Sequence, residues 1–121
     1  MMLAVLSGLG IGILLGLAFH FGYPVEYSFY ITMALLAALD SIFGAVKAQM
    51  NGEYNTLIFL SGFITNAILA ALLAFLGDKL GIPLYYAAIV VFGGRLFNNI
   101  AAIRRILILR FFAKKNKKTD N

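Results

Sequence analysis

Four apolar runs, separated by connections of only a few residues, constrain the fold of this chain more than any other feature. The runs cover about residues 2–21, 28–50, 56–76 and 83–105. A helix of about 20 residues rises about 30 Å, which matches the hydrocarbon thickness of a bilayer. The sequence therefore predicts an all-α membrane protein with four transmembrane helices in a compact bundle.

The composition agrees with this class and leaves little room for a soluble domain. The chain has 121 residues, of which 62% are hydrophobic and 12% are charged, far from the balance of a soluble globular domain. We expect a transmembrane domain over residues 1–113 and a basic cytoplasmic tail over residues 114–121. With no cysteine, a single histidine and no catalytic motif, the sequence predicts no enzyme, metal site or cofactor.

The basic residues indicate the orientation. The net charge is +5, and most of the ten lysines and arginines lie at or after Arg104. Positive loops and tails stay in the cytoplasm, so we expect both termini of the four-span chain to be cytoplasmic, in the bacterial plasma membrane. Such a tail favours anionic lipid headgroups or an acidic protein partner over nucleic acid. Its candidate binding residues are Arg104, Arg105, Lys114, Lys115, Lys117 and Lys118.

Asp40 is the residue in the second run that most needs an explanation. A carboxylate at the centre of a bilayer costs about 2.5 to 3.5 kcal/mol, so it requires a partner, a cavity or a function. Helical rise places Asp40 and Arg95 each about 18 Å from the same membrane face, with Asn66 close to that plane. We expect these residues and Asn99 to form an intramembrane polar cluster. Additional candidates for the cluster are Ser41, Lys47 and Asn98.

Glycines at helical spacing indicate close helix packing in lipid. Gly8, Gly12 and Gly16 recur every four residues and form one stripe, which lets two helix backbones approach. The stripe is equally compatible with packing inside one subunit and with a homo-oligomer interface. Gly44 and Gly62 are further predicted packing positions.

Three motifs resemble a known family. They are residues 37–44 (Ala-Ala-Leu-Asp-Ser-Ile-Phe-Gly), Ser61-Gly62-Phe63 leading to Asn66, and residues 92–105 with Arg95, Asn99 and Arg104-Arg105. These motifs resemble the small basic protein family of bacterial integral membrane proteins. The resemblance implies a plasma-membrane protein of uncharacterised activity, encoded near cell-division genes.

Two functions are compatible with these residues. In the first, the cluster fastens helices together, and the protein is a non-enzymatic membrane scaffold or assembly component with membrane-protein partners, linked to cell division or envelope assembly. In the second, an oligomeric ion channel or small-solute transporter uses Asp40, Asn66, Arg95 and Asn99 to line a pathway. We favour the scaffold, because opposite charges that neutralise each other need no solute.

Overall fold

The computed structural model describes residues 2–19, 22 and 24–119, and within them the chain is all-helical. A short 3₁₀ turn precedes the second helix. The α-helices are α1 (Met2–Ala18), α2 (Ser28–Met50), α3 (Thr56–Leu80) and α4 (Tyr85–Thr119). The order and number of helices agree with the four apolar runs.

Three of these helices are long and apolar enough to cross a membrane: α2 with its preceding turn, α3 and α4. The described part of α1 has 17 residues, which rise about 25 Å and fall short of a full span. The predicted end of this helix at Phe21 lies outside the described residues.

The α2–α3 connection follows the turn and cap signals of the sequence. Gly52 has φ of 74°, a left-handed conformation that glycine adopts without strain. The Asn55 side chain accepts hydrogen bonds from the backbone N–H groups of Leu57 and Ile58 at 2.9 and 3.1 Å. Asn55 is therefore the N-cap of α3, a position at which asparagine is strongly preferred.

The predicted end of α3 near residue 76 is wrong by one turn. Helix α3 continues to Leu80, and Gly81 with φ of 65° is its C-cap. Gly77 directly follows the predicted end but is buried inside the helix. A Cβ there would lie 2.6 Å from the Ile82 carbonyl oxygen, so this glycine lets the following turn fold back against α3.

Helix α4 also departs from its predicted bounds. It begins at Tyr85 rather than Pro83 and runs unbroken to Thr119 rather than ending near residue 105. The chain has no glycine or proline from Arg95 to Thr119, so nothing interrupts the helix there. The predicted boundary between domain and tail at residues 113–114 is therefore not a helix end. At 35 residues the helix is about 52 Å long.

Helix α2 is the centre of the molecule. It packs extensively against α4 and α3, whereas α3 and α4 touch each other over a smaller area. Among the described residues, α1 packs against α2 and makes no comparable contact with α3 or α4. The compact part of the structure is thus a three-helix bundle with α1 at its side, rather than the expected compact bundle of four.

The apolar core occupies one end of this bundle. Met33 and Ala37 of α2 meet two alanines of α3 and the side chains of Ala88 and Phe92 from α4. On every helix these positions lie between the polar cluster and the α3–α4 turn. We call this part, with core residues Met33, Ala37, Ala70, Ala74, Ala88 and Phe92, the closed half.

Candidate functional site

The Asp40 carboxylate is completely buried at the point where α2, α3 and α4 meet. Its Oδ2 accepts a hydrogen bond from Asn66 Nδ2 of α3 at 3.3 Å. The same oxygen pairs with Arg95 Nη2 of α4, also at 3.3 Å. One carboxylate oxygen of the central helix therefore connects both neighbouring helices, and the three residues lie level as the helical rise predicted.

The ion pair is not the two-pronged fork that arginine and carboxylate can form. A single guanidinium nitrogen is paired, and 55% of the Arg95 side chain is exposed, against 0% for Asp40. Asp40 Oδ1 is buried with no hydrogen-bond partner among the described residues, and so is the neighbouring Ser41 Oγ. A buried polar atom without a partner costs about 1 to 3 kcal/mol, so the carboxylate is only half satisfied by the protein.

The other predicted members of the cluster lie farther from Asp40. Asn99 is half-buried, and its Nδ2 would lie 3.6 Å from a Cβ built on Gly44, one helical turn beyond Asp40. Asn98 is exposed and lines a different face of α4 together with Arg105. Lys47 is half-buried near the end of α2. Asn99 therefore packs beside the cluster, whereas Asn98 is not part of it.

A cavity of about 220 Å³ extends from Asp40 to the α2–α3 turn. Its inner end is formed by Asp40, Asn66 and Arg95, and its outer end by Glu53 and Asn55. Between them lie Ser41, Gly44 and Ala45 of α2 and Phe59, Gly62 and Phe63 of α3. We call the part of the bundle between the cluster and this turn, residues 41–50, 56–65 and 96–110, the open half.

The closed half blocks the cavity at its inner end. The apolar core begins one turn beyond the cluster, with Ala37 before Asp40, Ala70 after Asn66 and Phe92 before Arg95. Each of these side chains is at most 5% exposed. The described residues of a single chain therefore form no continuous polar passage along the bundle axis, while the exposed side of Arg95 leaves the inner end of the cavity open to the side.

Some residues of this site were missed from the sequence. Glu53 and Tyr54 follow a turn and had no signal other than their polarity, yet they line the cavity. Arg110 was not among the predicted site residues, but its Nη2 donates to the Met50 carbonyl at the end of α2. An arginine near a helix C-terminus is a known capping signal, but this one comes from a different helix.

The glycine stripe of α1 makes no close contact with the rest of the described chain. A Cβ built on Gly8, Gly12 or Gly16 would meet no atom within 4 Å, and the same holds for Gly62. Gly8 and Gly12 instead line a wide apolar groove of about 620 Å³ between α1 and the α2–α3 pair. The packing inside one subunit that we considered for this stripe is thus absent from the described residues.

The predicted lipid-binding residues lie on the exposed final turns of α4. Arg104 and Arg105 are exposed, and so are the four lysines of the tail. Between them α4 exposes Leu107, Ile108 and Phe112. Within the described ranges, no three His, Cys, Asp or Glu side chains converge as metal ligands would.

Sequence comparisons identify proteins that are related to this chain. The family described as "Protein of unknown function (DUF1290)" matches residues 23–108. The "Small basic protein" of Bacillus subtilis (strain 168) is 51% identical over 112 residues, covering 92% of this chain and 93% of that protein. An uncharacterised protein of Mycobacterium tuberculosis (strain ATCC 25618 / H37Rv) is 41% identical over 104 residues, covering 84% of this chain and 86% of its own length. No solved structure matches the chain. The family match spans the whole polar cluster and excludes α1.

Proposed function

This chain belongs to the DUF1290 family, as its resemblance to small basic proteins predicted, and we propose that it is a non-enzymatic scaffold or assembly component of the bacterial plasma membrane. Its role would be to present a fixed set of helix faces and a basic cytoplasmic helix to membrane-protein partners. The resemblance further suggests cell division or envelope assembly as the process.

The observation that carries this proposal is the sharing of one buried oxygen, Asp40 Oδ2, by Asn66 and Arg95. In lipid, apolar side chains alone give little preference for one helix register over another, whereas interhelical hydrogen bonds and small residues do. The cluster meets that need, because it holds α3 and α4 at one level on α2. A protein that works through its shape requires such a fastener.

The membrane arrangement that we propose has four spans and both termini in the cytoplasm. Helices α2, α3 and α4 are long enough to cross, and the basic end of α4 would stay inside. This arrangement places Glu26 outside and Thr119 inside. Since the chain contains no cysteine, single cysteines introduced at these two positions should react with a membrane-impermeant thiol reagent from opposite sides. Labelling of both from one side would contradict the arrangement.

The end of α4 would bind anionic headgroups or an acidic partner. Helix α4 is about 52 Å long, and the hydrocarbon core is about 30 Å thick, so its basic end extends past the core. Each lysine or arginine near an anionic surface contributes about 1 kcal/mol of attraction. Arg110 joins this segment to the end of α2, so a partner bound there would act on the bundle directly.

We further propose that the protein forms a homo-oligomer through α1. Gly8, Gly12 and Gly16 are open to a second helix, and close helix pairing in lipid uses this spacing. Cross-linking of a Gly12→Cys variant in native membranes tests the proposal. Cross-linking no stronger than for a Leu57→Cys control, on the exposed surface of α3, would contradict it.

A charge exchange tests the fastening role of the cluster. The Asp40→Arg and Arg95→Asp variants should each lose membrane abundance, because each places two like charges together. The double exchange restores opposite charges and should recover abundance and rescue a deletion strain. Normal abundance without rescue would mean that the sign of the charge at each position matters, which a fastener does not require.

The cavity at Asp40 favours a second candidate, an oligomeric ion channel or small-solute transporter. A polar cavity of about 220 Å³ that reaches an intramembrane carboxylate is typical of ion and solute pathways. The closed half blocks passage through one chain, so a pathway would run between subunits. Solute flux into liposomes, compared between the double exchange and the natural protein, distinguishes this candidate from the scaffold.

A further inference from the structure

The polar cavity of the open half combines buried acceptors that lack donors. Asp40 Oδ1 and Ser41 Oγ are both buried without a hydrogen-bond partner among the described residues, and both residues line the cavity. An ionised carboxylate can only accept hydrogen bonds, while a hydroxyl can do either. A ligand that satisfies this inner end must therefore donate hydrogen bonds.

The charge of the lining favours a cation. The cavity lining contains two carboxylates, Asp40 at the inner end and Glu53 at the outer end, and one guanidinium, that of Arg95. The lining therefore carries an excess of one negative charge. Arg95 is paired through one nitrogen with Oδ2, which leaves the other carboxylate oxygen for a second positive group.

An aromatic wall adds a second feature that suits an organic cation. Tyr54, Phe59 and Phe63 line the cavity on one side. The ring centroids of Tyr54 and Phe59 are 6.2 Å apart, and those of Phe59 and Phe63 are 6.1 Å apart. Aromatic faces attract ammonium groups through the ring quadrupole. A metal ion would instead require several converging oxygen ligands, and the described residues show no such group.

From these contacts we infer that the cavity is a binding site for a primary ammonium group, carried either by a small free amine or by an amine-bearing lipid headgroup. The ammonium lies at the inner end of the cavity, where rotation of the Asp40 and Ser41 side chains brings Oδ1 and Oγ to it, and its carbon chain lies along the aromatic wall toward the α2–α3 turn. The closed half prevents exit along the bundle axis, so the ligand enters and leaves on the side of the open half. The inference does not depend on whether the protein is a scaffold.

Ligand-observed NMR on the full chain in phosphatidylglycerol nanodiscs tests the site. The probe is ethylammonium chloride, with ethanol as the neutral analogue of similar shape and acetate as the anion. We expect ethylammonium to bind with a dissociation constant of about 1 mM or lower, and the two controls to bind at least about tenfold more weakly. Equal binding of ethanol and ethylammonium, or no binding of ethylammonium, would overturn the inference.

Filling the cavity provides the decisive variant. A Cβ at Gly62 would meet no atom within 4 Å, so Gly62→Leu places a side chain at the cavity wall without a clash against its surroundings. We expect ethylammonium binding to be lost. Gly94→Leu is the matched control, because Gly94 is equally open but lies on α4 outside the cavity lining. Unchanged binding in Gly62→Leu would overturn the inference.

Two milder variants keep the test valid if the leucine variant fails to fold. Ser41→Ala removes one acceptor and should weaken binding about three- to tenfold. Its control, Ser61→Ala, removes an exposed hydroxyl that bonds to the Ile58 carbonyl and should leave affinity unchanged. Glu53→Gln should weaken binding by about threefold, and Glu26→Gln, at the opposite end of α2, should not. If each variant bound ethylammonium with the same affinity as its control, the proposed site would be contradicted.

The lipid composition of the nanodisc distinguishes the two sources of the amine. If an amine-bearing headgroup occupies the site, replacing half of the phosphatidylglycerol with phosphatidylethanolamine should weaken ethylammonium binding at least about fivefold more than the same replacement with phosphatidylcholine, which lowers the surface charge equally but has no primary ammonium. Equal affinity in the two lipid mixtures would assign the site to free amines. Both results are compatible with an ammonium site. An equal loss of ethylammonium binding in Gly62→Leu and Gly94→Leu would instead contradict the site.

Discussion

The two halves of the bundle use the same three helices but are packed differently. In the closed half, four alanines of α2, α3 and α4 lie buried against Met33 and Phe92. In the open half, α3 contributes no buried residue, and a polar cavity separates it from Ser41 and Gly44 of α2. Small residues that face each other allow close helix contact in lipid, whereas small residues that face Phe59 and Phe63 across a gap leave a cavity.

This difference explains how the protein tolerates Asp40. The carboxylate lies at the border of the halves, with apolar packing on one side and the polar cavity on the other. A charge buried on both sides would cost several kcal/mol even when paired. The open half reduces that cost because polar groups approach the carboxylate from one direction. The closed half supplies the apolar core, and the open half supplies the cavity.

The largest expected effect comes from the core of the closed half. Phe92 is 5% exposed, and Phe92→Ala should lower the free energy of unfolding by about 3 to 5 kcal/mol, because the deleted ring leaves a cavity. Phe63→Ala, at a half-buried position beside the existing cavity, should cost less than about 2 kcal/mol. Denaturation in detergent micelles measures both. Equal losses would mean that the halves do not differ in packing.

Removing one member of the cluster should have the next largest effect. Arg95→Ala leaves Asp40 with Asn66 as its partner, and we expect a loss of about 3 kcal/mol, the lower end for a broken buried pair. The lower end applies because 55% of the Arg95 side chain is exposed. The loss should shrink to about 1 kcal/mol when Asp40→Asn is added, since no charge then remains unpaired. A single variant as stable as the natural protein would contradict the fastening role.

Two glycine substitutions compare the halves directly. Gly77→Ala places a Cβ 2.6 Å from a backbone oxygen of the α3–α4 turn, so we expect a loss of about 1 to 3 kcal/mol from overpacking. Gly62→Ala meets open space and should stabilise by up to about 1 kcal/mol through helix propensity. Thermal unfolding of the pair measures the difference. If both substitutions changed the stability in the same direction, the two halves would not differ in packing at these positions.

The smallest expected effect concerns the end of the open half. Arg110 donates to the Met50 carbonyl, and Arg110→Ala should cost about 1 kcal/mol, the contribution of one hydrogen bond to a charged group at partial exposure. Amide hydrogen exchange should become faster in the last turn of α2 and stay unchanged around Met33. The control is Arg104→Ala, which removes an exposed charge from the same helix. Identical exchange in both variants would show that Arg110 does not cap α2.

The sequence predicted much of the cluster because helical rise is regular. Counting residues from the helix ends placed Asp40, Asn66 and Arg95 at one level, and the structure joins them. Counting could not reveal that Asn99 packs on Gly44 or that Asn98 lies elsewhere, because two adjacent asparagines differ by about 100° around the helix axis. The predicted ends of α3 and α4 were wrong because they followed the ends of the apolar runs, whereas a charged pair such as Arg104-Arg105 or a single glycine does not by itself end a helix. Gly77 shows this most clearly, since its role depends on the turn that folds back on it.

By itself the sequence determined the helical class, the approximate positions of the connections between the helices and the family, because these depend on hydrophobic length and motif spacing. The tertiary structure alone decided that α2 is central, that α1 lies at the side of the bundle and that a cavity lies between Asp40 and the α2–α3 turn. These features depend on which helix faces pack together. The apolar pattern of one helix does not specify which other helix it contacts. In lipid, where every apolar side chain is equally well solvated, the choice of partner is made by small residues and by the few polar groups that must find each other.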